Sequence, residues 1–175
     1  IFGETSTKGP APRDAVMHIP PARQVPAPFG SNVGGTSPAF WGIPGHEDSQ
    51  YDSWLTVSID DGNNQNLISS IGIDFTDWSE KNALEADDGS VFWMDPDKAP
   101  DGRALVAQLT LSDSAEASQR KIIFSAQGRY KAPNGNLHGG NWQTFNLQAQ
   151  LGGGKNGPPV DCSGDFGPYG GCNVC

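Results

Sequence analysis

From Tyr51 onward, apolar residues recur at every second position in short runs separated by turn residues. Over 53–60, Leu55, Val57 and Ile59 share one face while Trp54, Thr56 and Ser58 share the other, the alternation of a half-buried strand. The Asp- and Asn-rich turn of 60–64 leads to a returning strand over 67–75. A short apolar strand follows over 90–94, ending at Asp95-Pro96, and 103–111 alternates again. Two further strands are predicted over 119–127 and 141–150, joined by a turn at 131–136 that carries Pro133-Asn134-Gly135. Asp77 with Glu80 three residues later resembles a capping box and predicts one helical turn. Strands this short and this closely spaced predict an all-β chain, an antiparallel β-sandwich of the jelly-roll or Ig-like kind, with its body over 46–151.

The stretch before that body has a different texture. Residues 1–45 contain Pro10, Pro12, Pro20, Pro21, Pro26, Pro28, Pro38 and Pro44. Proline supplies no ladder donor, so this segment is predicted to be extended coil, with one short edge strand near 15–19. Val16, Met17, Ile19, Phe29, Phe40 and Trp41 give it enough apolar surface to pack on the sandwich. The abrupt apolar start, Ile1-Phe2, reads as a processing site or the edge of a longer chain. After Leu151, residues 152–159 are a Gly/Pro linker by composition. The last unit, 160–175, holds Cys162, Cys172 and Cys175, the only cysteines of the 175-residue chain.

Composition agrees with the pattern, since 23 Gly and 14 Pro favour many turns over long helices. The formal net charge of -9 repels phosphate backbones and anionic lipid, which argues against nucleic acid as a partner. No apolar run is long enough to span a bilayer, so no membrane insertion is expected. Three cysteines crowded at one end predict disulfides with a partner outside this sequence and an oxidising, extracellular location. Zinc is the weaker reading of Cys172-x-x-Cys175, because no second ligand pair accompanies it.

The charge also suggests chemistry. Sixteen of the 20 acidic residues lie between Glu47 and Glu116, with Lys81, Lys98 and Arg103 the only basic residues there. Asp87, Asp88, Asp95, Asp97 and Asp101 are the candidate ligands for Ca²⁺, which takes six to eight oxygens; the plain alternative is a set of solvated turn aspartates. Five tryptophans raise a second candidate, a sugar-stacking platform. Trp41 and Trp78, in loop-like surroundings, are its best members, whereas Trp54 and Trp142 lie in strands and read as packing. His18, His46 and His138 are isolated and no nucleophile or phosphate-loop motif occurs, so no enzyme and no cofactor other than calcium is expected. No Asn-x-Ser/Thr sequon is present.

Two stretches carry a resemblance. Val160-Asp-Cys-Ser-Gly-Asp-Phe-Gly-Pro-Tyr-Gly-Gly-Cys-Asn-Val-Cys175 resembles the opening of a thrombospondin type-1-like repeat, with Phe166 and Tyr169 where that pattern often has Trp. The body, through Ser37-Pro-Ala-Phe-Trp41, Tyr51-Asp-Ser-Trp-Leu-Thr-Val57, Ile71-Gly-Ile-Asp-Phe75 and Asp88-Gly-Ser-Val-Phe-Trp-Met-Asp-Pro-Asp97, resembles an uncharacterised module of large surface proteins of marine bacteria and microalgae. The resemblance implies a non-catalytic extracellular building block for adhesion, or for a fibre, a surface coat or a mastigoneme-like flagellar hair. Its partners would be neighbouring modules or copies of the same protein. The alternative is a carbohydrate-binding module, with or without calcium, whose partners are glycans.

Overall fold

The computed structural model describes residues 1–6, 13–63, 66–95, 98–100, 103–112, 114–129, 141–151 and 161–163. Its strands are β1 (Phe2–Ser6), β2 (Arg13–Ala15), β3 (Met17–Ile19), β4 (Trp54–Leu55), β5 (Ile68–Ile71), β6 (Leu84–Ala86), β7 (Asp88–Trp93), β8 (Ala107–Gln108), β9 (Lys121–Arg129), β10 (Asn141–Gln150) and β11 (Asp161–Ser163). The helical elements with described bounds are α1 (Pro38–Trp41) and the 3₁₀ turns Glu47–Tyr51 and Ala117–Arg120. The chain is therefore all-β. Nine strands link into one curled antiparallel sheet with the path β11-β10-β9-β1-β7-β5, to which β2, β3 and β6 attach, while β4 and β8 form a separate ribbon.

The curl comes from strands that change partners. One residue, Val16, separates β2, which pairs β1, from β3, which pairs β6 and β9. One residue, Asp87, likewise separates β6 from β7. Such short breaks let a strand turn a corner from one part of a sheet to another. Between the two breaks sits β1, whose Glu4 is in register with both Ala15 and Asp88.

More strand forms in the first 45 residues than the single edge strand expected near 15–19: β1 lies between β9 and β7, and β2 and β3 attach to the sheet, whereas 20–37 carries only isolated bridges. The stretches 2–6 and 13–19 contain no proline, so their N–H groups can join ladders. The long alternating runs are also shorter as strands than the pattern predicted. At Ser58 the backbone turns to φ 67° and at Gly72 to φ 69°, ending β4 and β5 early. No helix forms at Asp77–Glu80; the Phe75 carbonyl accepts from Trp78 N–H in a turn, and the capping box occurs instead at Glu116 and Gln119. The turn expected at 131–136 and the linker at 152–159 lie outside the described residues.

Met17, Ile19, Leu55, Leu84, Val91 and Ile122 are fully buried and come from β3, β4, β6, β7 and β9. They form one cluster with Trp78, Phe124, Leu147 and Ala149. Burying each such side chain contributes on the order of 2 kcal/mol, so the core draws on nearly every element, including the N-terminal strands.

Ile1 continues the β1 ladder. Its nitrogen donates to the Val91 carbonyl at 2.9 Å, and Val91 N–H returns a bond to the Ile1 carbonyl at 2.9 Å.

Candidate functional site

Two surfaces stand out, an apolar sheet face and an open cleft. On β7 burial alternates: Gly89 and Val91 are buried, whereas Asp88, Phe92 and, just beyond the strand, Met94 are exposed, the last two at 37% and 53%. Ile71 on β5 pairs with Ser90 and so shares that outer face, at 67% exposure. On the other side of β7, Phe2 also pairs with Ser90 and packs edge-on against Phe145, ring centroids 5.9 Å apart. An antiparallel sheet with one solvated face is ordinarily polar outside. Here the outer face is mixed: Asp88 and Ser90 share it with Phe92, and Ile71 and Met94 extend its apolar part.

Strand β5 is the last strand on its side of the sheet. The Leu67 carbonyl accepts from Met94 N–H at 2.7 Å, so odd-numbered residues of this strand aim their main-chain groups at β7. The main-chain groups of Ile68 and Ser70 then point to the outer edge, where no described strand pairs with them. An edge with open backbone valences beside an apolar face is a template for another chain.

The cleft lies just past the end of β5, between the loops around 24–32 and 73–76. It is open, of roughly 560 Å³, and its lining includes Gln24, Asn32, Asp74, Phe75, Thr76 and Trp78. Asp52, itself outside the lining, anchors the first of these loops. Its carboxylate is buried and accepts Val25 N–H at 2.8 Å and Ser31 N–H at 2.7 Å, drawing the ends of the 25–31 loop together. Burial raises the Asp52 carboxyl above its ordinary value, against the pull of the N–H groups of Ser31, Val25 and Ser53 and of the Arg23 guanidinium. The other wall carries Asp74, whose Oδ1 accepts Thr76 N–H at 2.9 Å. Bonds from the Thr76 side chain and backbone hold this exposed carboxyl below its ordinary value.

The expected site residues separate in space. Asp87 and Asp88 stand at the corner between β6 and β7, and Asp95 follows the far end of β7, where it pairs with Lys98 at 3.0 Å. The strand Asp88–Trp93 alone, five steps of roughly 3.3 Å, keeps Asp88 and Asp95 well beyond the reach of one ion. Asp97 and Asp101 lie outside the described residues, and among the described residues no three His, Cys, Asp or Glu side chains converge as metal ligands. Trp41 is 37% exposed, with its indole N–H directed at Thr36 Oγ1. Trp78, by contrast, is 4% exposed and donates its indole N–H to the Pro20 carbonyl at 3.0 Å. That corrects the pairing of Trp41 with Trp78 as a platform: Trp78 belongs to the core, because the turn at 75–78 folds it inward. Of the strand tryptophans, Trp54 is buried, and Trp142 lies across Gly128, where a Cβ would come within 2.7 Å of the indole.

His18 faces Glu85, and His46 stacks on Phe29 with ring centroids 3.5 Å apart. His138 lies outside the described residues. Cys162 belongs to β11, which pairs with β10 through Ala149; Cys172 and Cys175 lie outside the described residues. No helix among the described residues is long and apolar enough to cross a membrane.

No protein-family model, curated protein or solved structure matches the chain.

The apolar part of the outer face was hidden from sequence reasoning. The run Val91-Phe-Trp-Met94 shows no polar alternation, and it reads equally well as a strand buried on both sides.

Proposed function

We propose that this chain is a non-catalytic extracellular structural module of a larger multidomain protein, joining neighbouring copies or modules in a fibre, surface coat or flagellar hair, or in adhesion. The observation that carries this reading is the apolar part of the outer face, Ile71, Phe92 and Met94, beside the open edge of β5. Covering such a face removes apolar area from water, and the edge strand supplies main-chain bonds that fix register. The terminal cysteines and the resemblance to surface-protein modules support the extracellular setting.

Sedimentation velocity over a concentration series tests the reading. The native chain is expected to self-associate, and Ile71→Glu or Phe92→Ser to weaken association at least about tenfold. Ile71 is 67% exposed, so its substitution is expected to leave the unfolding transition nearly unchanged. A native chain that stays monomeric at high concentration would sink the proposal, as would variants that associate equally well.

A further inference from the structure

The cleft between the 24–32 and 73–76 loops follows the end of β5, with Ile73 in its lining, and its polar groups differ in kind from the apolar residues Ile71, Phe92 and Met94. Its polar side chains are mostly uncharged: the amides of Gln24 and Asn32 and the Thr76 hydroxyl, with Asp74 the one carboxylate among the lining residues. Asn32, Asp74 and Thr76 are exposed and within reach of a ligand. The amide nitrogen of Gln24 is buried and meets no acceptor, an unspent donor on the cleft wall.

Beneath them, Phe75 is half-buried and rests against Trp78, ring centroids 6.3 Å apart and tilted by 41°. The bond from the Trp78 indole to Pro20 fixes that support, so Phe75 presents a backed aromatic surface and not a loose ring. Hydroxyl-seeking groups around an aromatic surface match a polyhydroxylated ring with one apolar face. The volume suits one or two such rings.

We propose that this cleft binds a neutral pyranose unit of a glycan, with ring hydroxyls bonded to Asp74, Thr76 and Asn32 and an apolar sugar face laid on Phe75. An anionic sugar meets repulsion from Asp74, which its bonds to Thr76 keep ionised. A cation is a poorer match because one exposed carboxylate, already bonded to Thr76, offers too few ligands. This role is independent of self-association.

The test titrates the chain with methyl glucoside, methyl galactoside, methyl mannoside, cellobiose and chitobiose, and with a sulfated disaccharide as the anionic arm. Binding is read by amide and indole NMR shifts. At least one neutral sugar is expected to move the signals of Gln24, Phe75 and the Trp78 indole, with the sulfated sugar failing to do so. Asp74→Ala is expected to weaken that binding about tenfold or more while leaving the spectrum of the core in place. Gln24→Ala provides a second variant on the opposite wall, with the same expected direction. Three results would each overturn the proposal: no shift with any neutral sugar at about 20 mM, equal binding by the Asp74 variant, or preference for the sulfated sugar.

Discussion

Asp52→Ala is expected to cost about 4 kcal/mol of folding stability, measured by urea or guanidinium unfolding. The carboxylate is buried and bonded to the N–H groups of Val25 and Ser31, at 2.8 and 2.7 Å. Alanine leaves both part-buried donors without the carboxylate they bond, and each donor so orphaned costs about 1–3 kcal/mol. The residue's own carbonyl accepts from the Gln108 side chain at 2.8 Å, a bond that survives the substitution, so the loss isolates the carboxylate. The effect also has a sign with pH. Because burial holds the folded-state carboxyl above 3.8, the native residue's advantage is full below that value and shrinks as pH rises through the folded pKa. Comparing native chain and variant at pH 4 and pH 7 should therefore give the larger difference at pH 4. If Asp52→Ala unfolds within about 1 kcal/mol of the native chain, the carboxylate does not hold the 25–31 loop.

Gly3→Val is expected to cost about 3 kcal/mol or more, for a steric reason. A Cβ at Gly3 would lie 1.9 Å from the Ala86 carbonyl oxygen, 2.6 Å from the Met17 nitrogen and 2.9 Å from the Met17 Cβ. Two of these three are backbone atoms of β6 and β3, and no rotamer relieves contact with them. Glycine is required here because β1 crosses directly over the pair β3–β6. Gly42→Ala serves as the control, since nothing lies within 4 Å of its Cβ position; it is expected to be nearly neutral. Similar losses at Gly3 and Gly42 would mean that β1 is not seated between β2 and β7.

The strands predicted over 119–127 and 141–150 were legible because β9 and β10 form a long hairpin, where local alternation and register agree. Their bulge between Thr144 and Leu147 was not legible. It depends on Asn146 adopting φ 52° and directing its N–H to Ser125 Oγ at 3.3 Å, a contact across strands. The 53–60 run failed as one long strand for a comparable reason. Thr56, expected on the polar face, is fully buried, and its hydroxyl donates to the Ile59 carbonyl and accepts Ile59 N–H, closing a tight turn. A side chain that satisfies the backbone locally releases it from the ladder.

The candidate surfaces were less legible than the strands. Asp74 and Gln24 attract no notice in sequence, and the cleft exists only because Asp52 ties down 25–31 opposite the turn at 74–76. Trp78 shows the converse: its loop-like setting suggested exposure, yet the Pro20 carbonyl, 58 residues away, takes its indole inward.

Sequence alone determined the all-β class, because alternation, turn residues and the scarcity of helix signals are local properties that each short segment carries by itself. It also determined that the described prolines would stay outside the strands, since a missing N–H has the same consequence in any ladder. Tertiary structure decided the rest. Which strands lie in the middle, which face of β7 meets water and which loops face each other depend on pairings between residues far apart in the chain, as when β1 inserts beside β7 and β9. The N-terminal segment, judged peripheral by its prolines, became central because its two proline-free stretches supply main-chain donors and acceptors that those distant strands require.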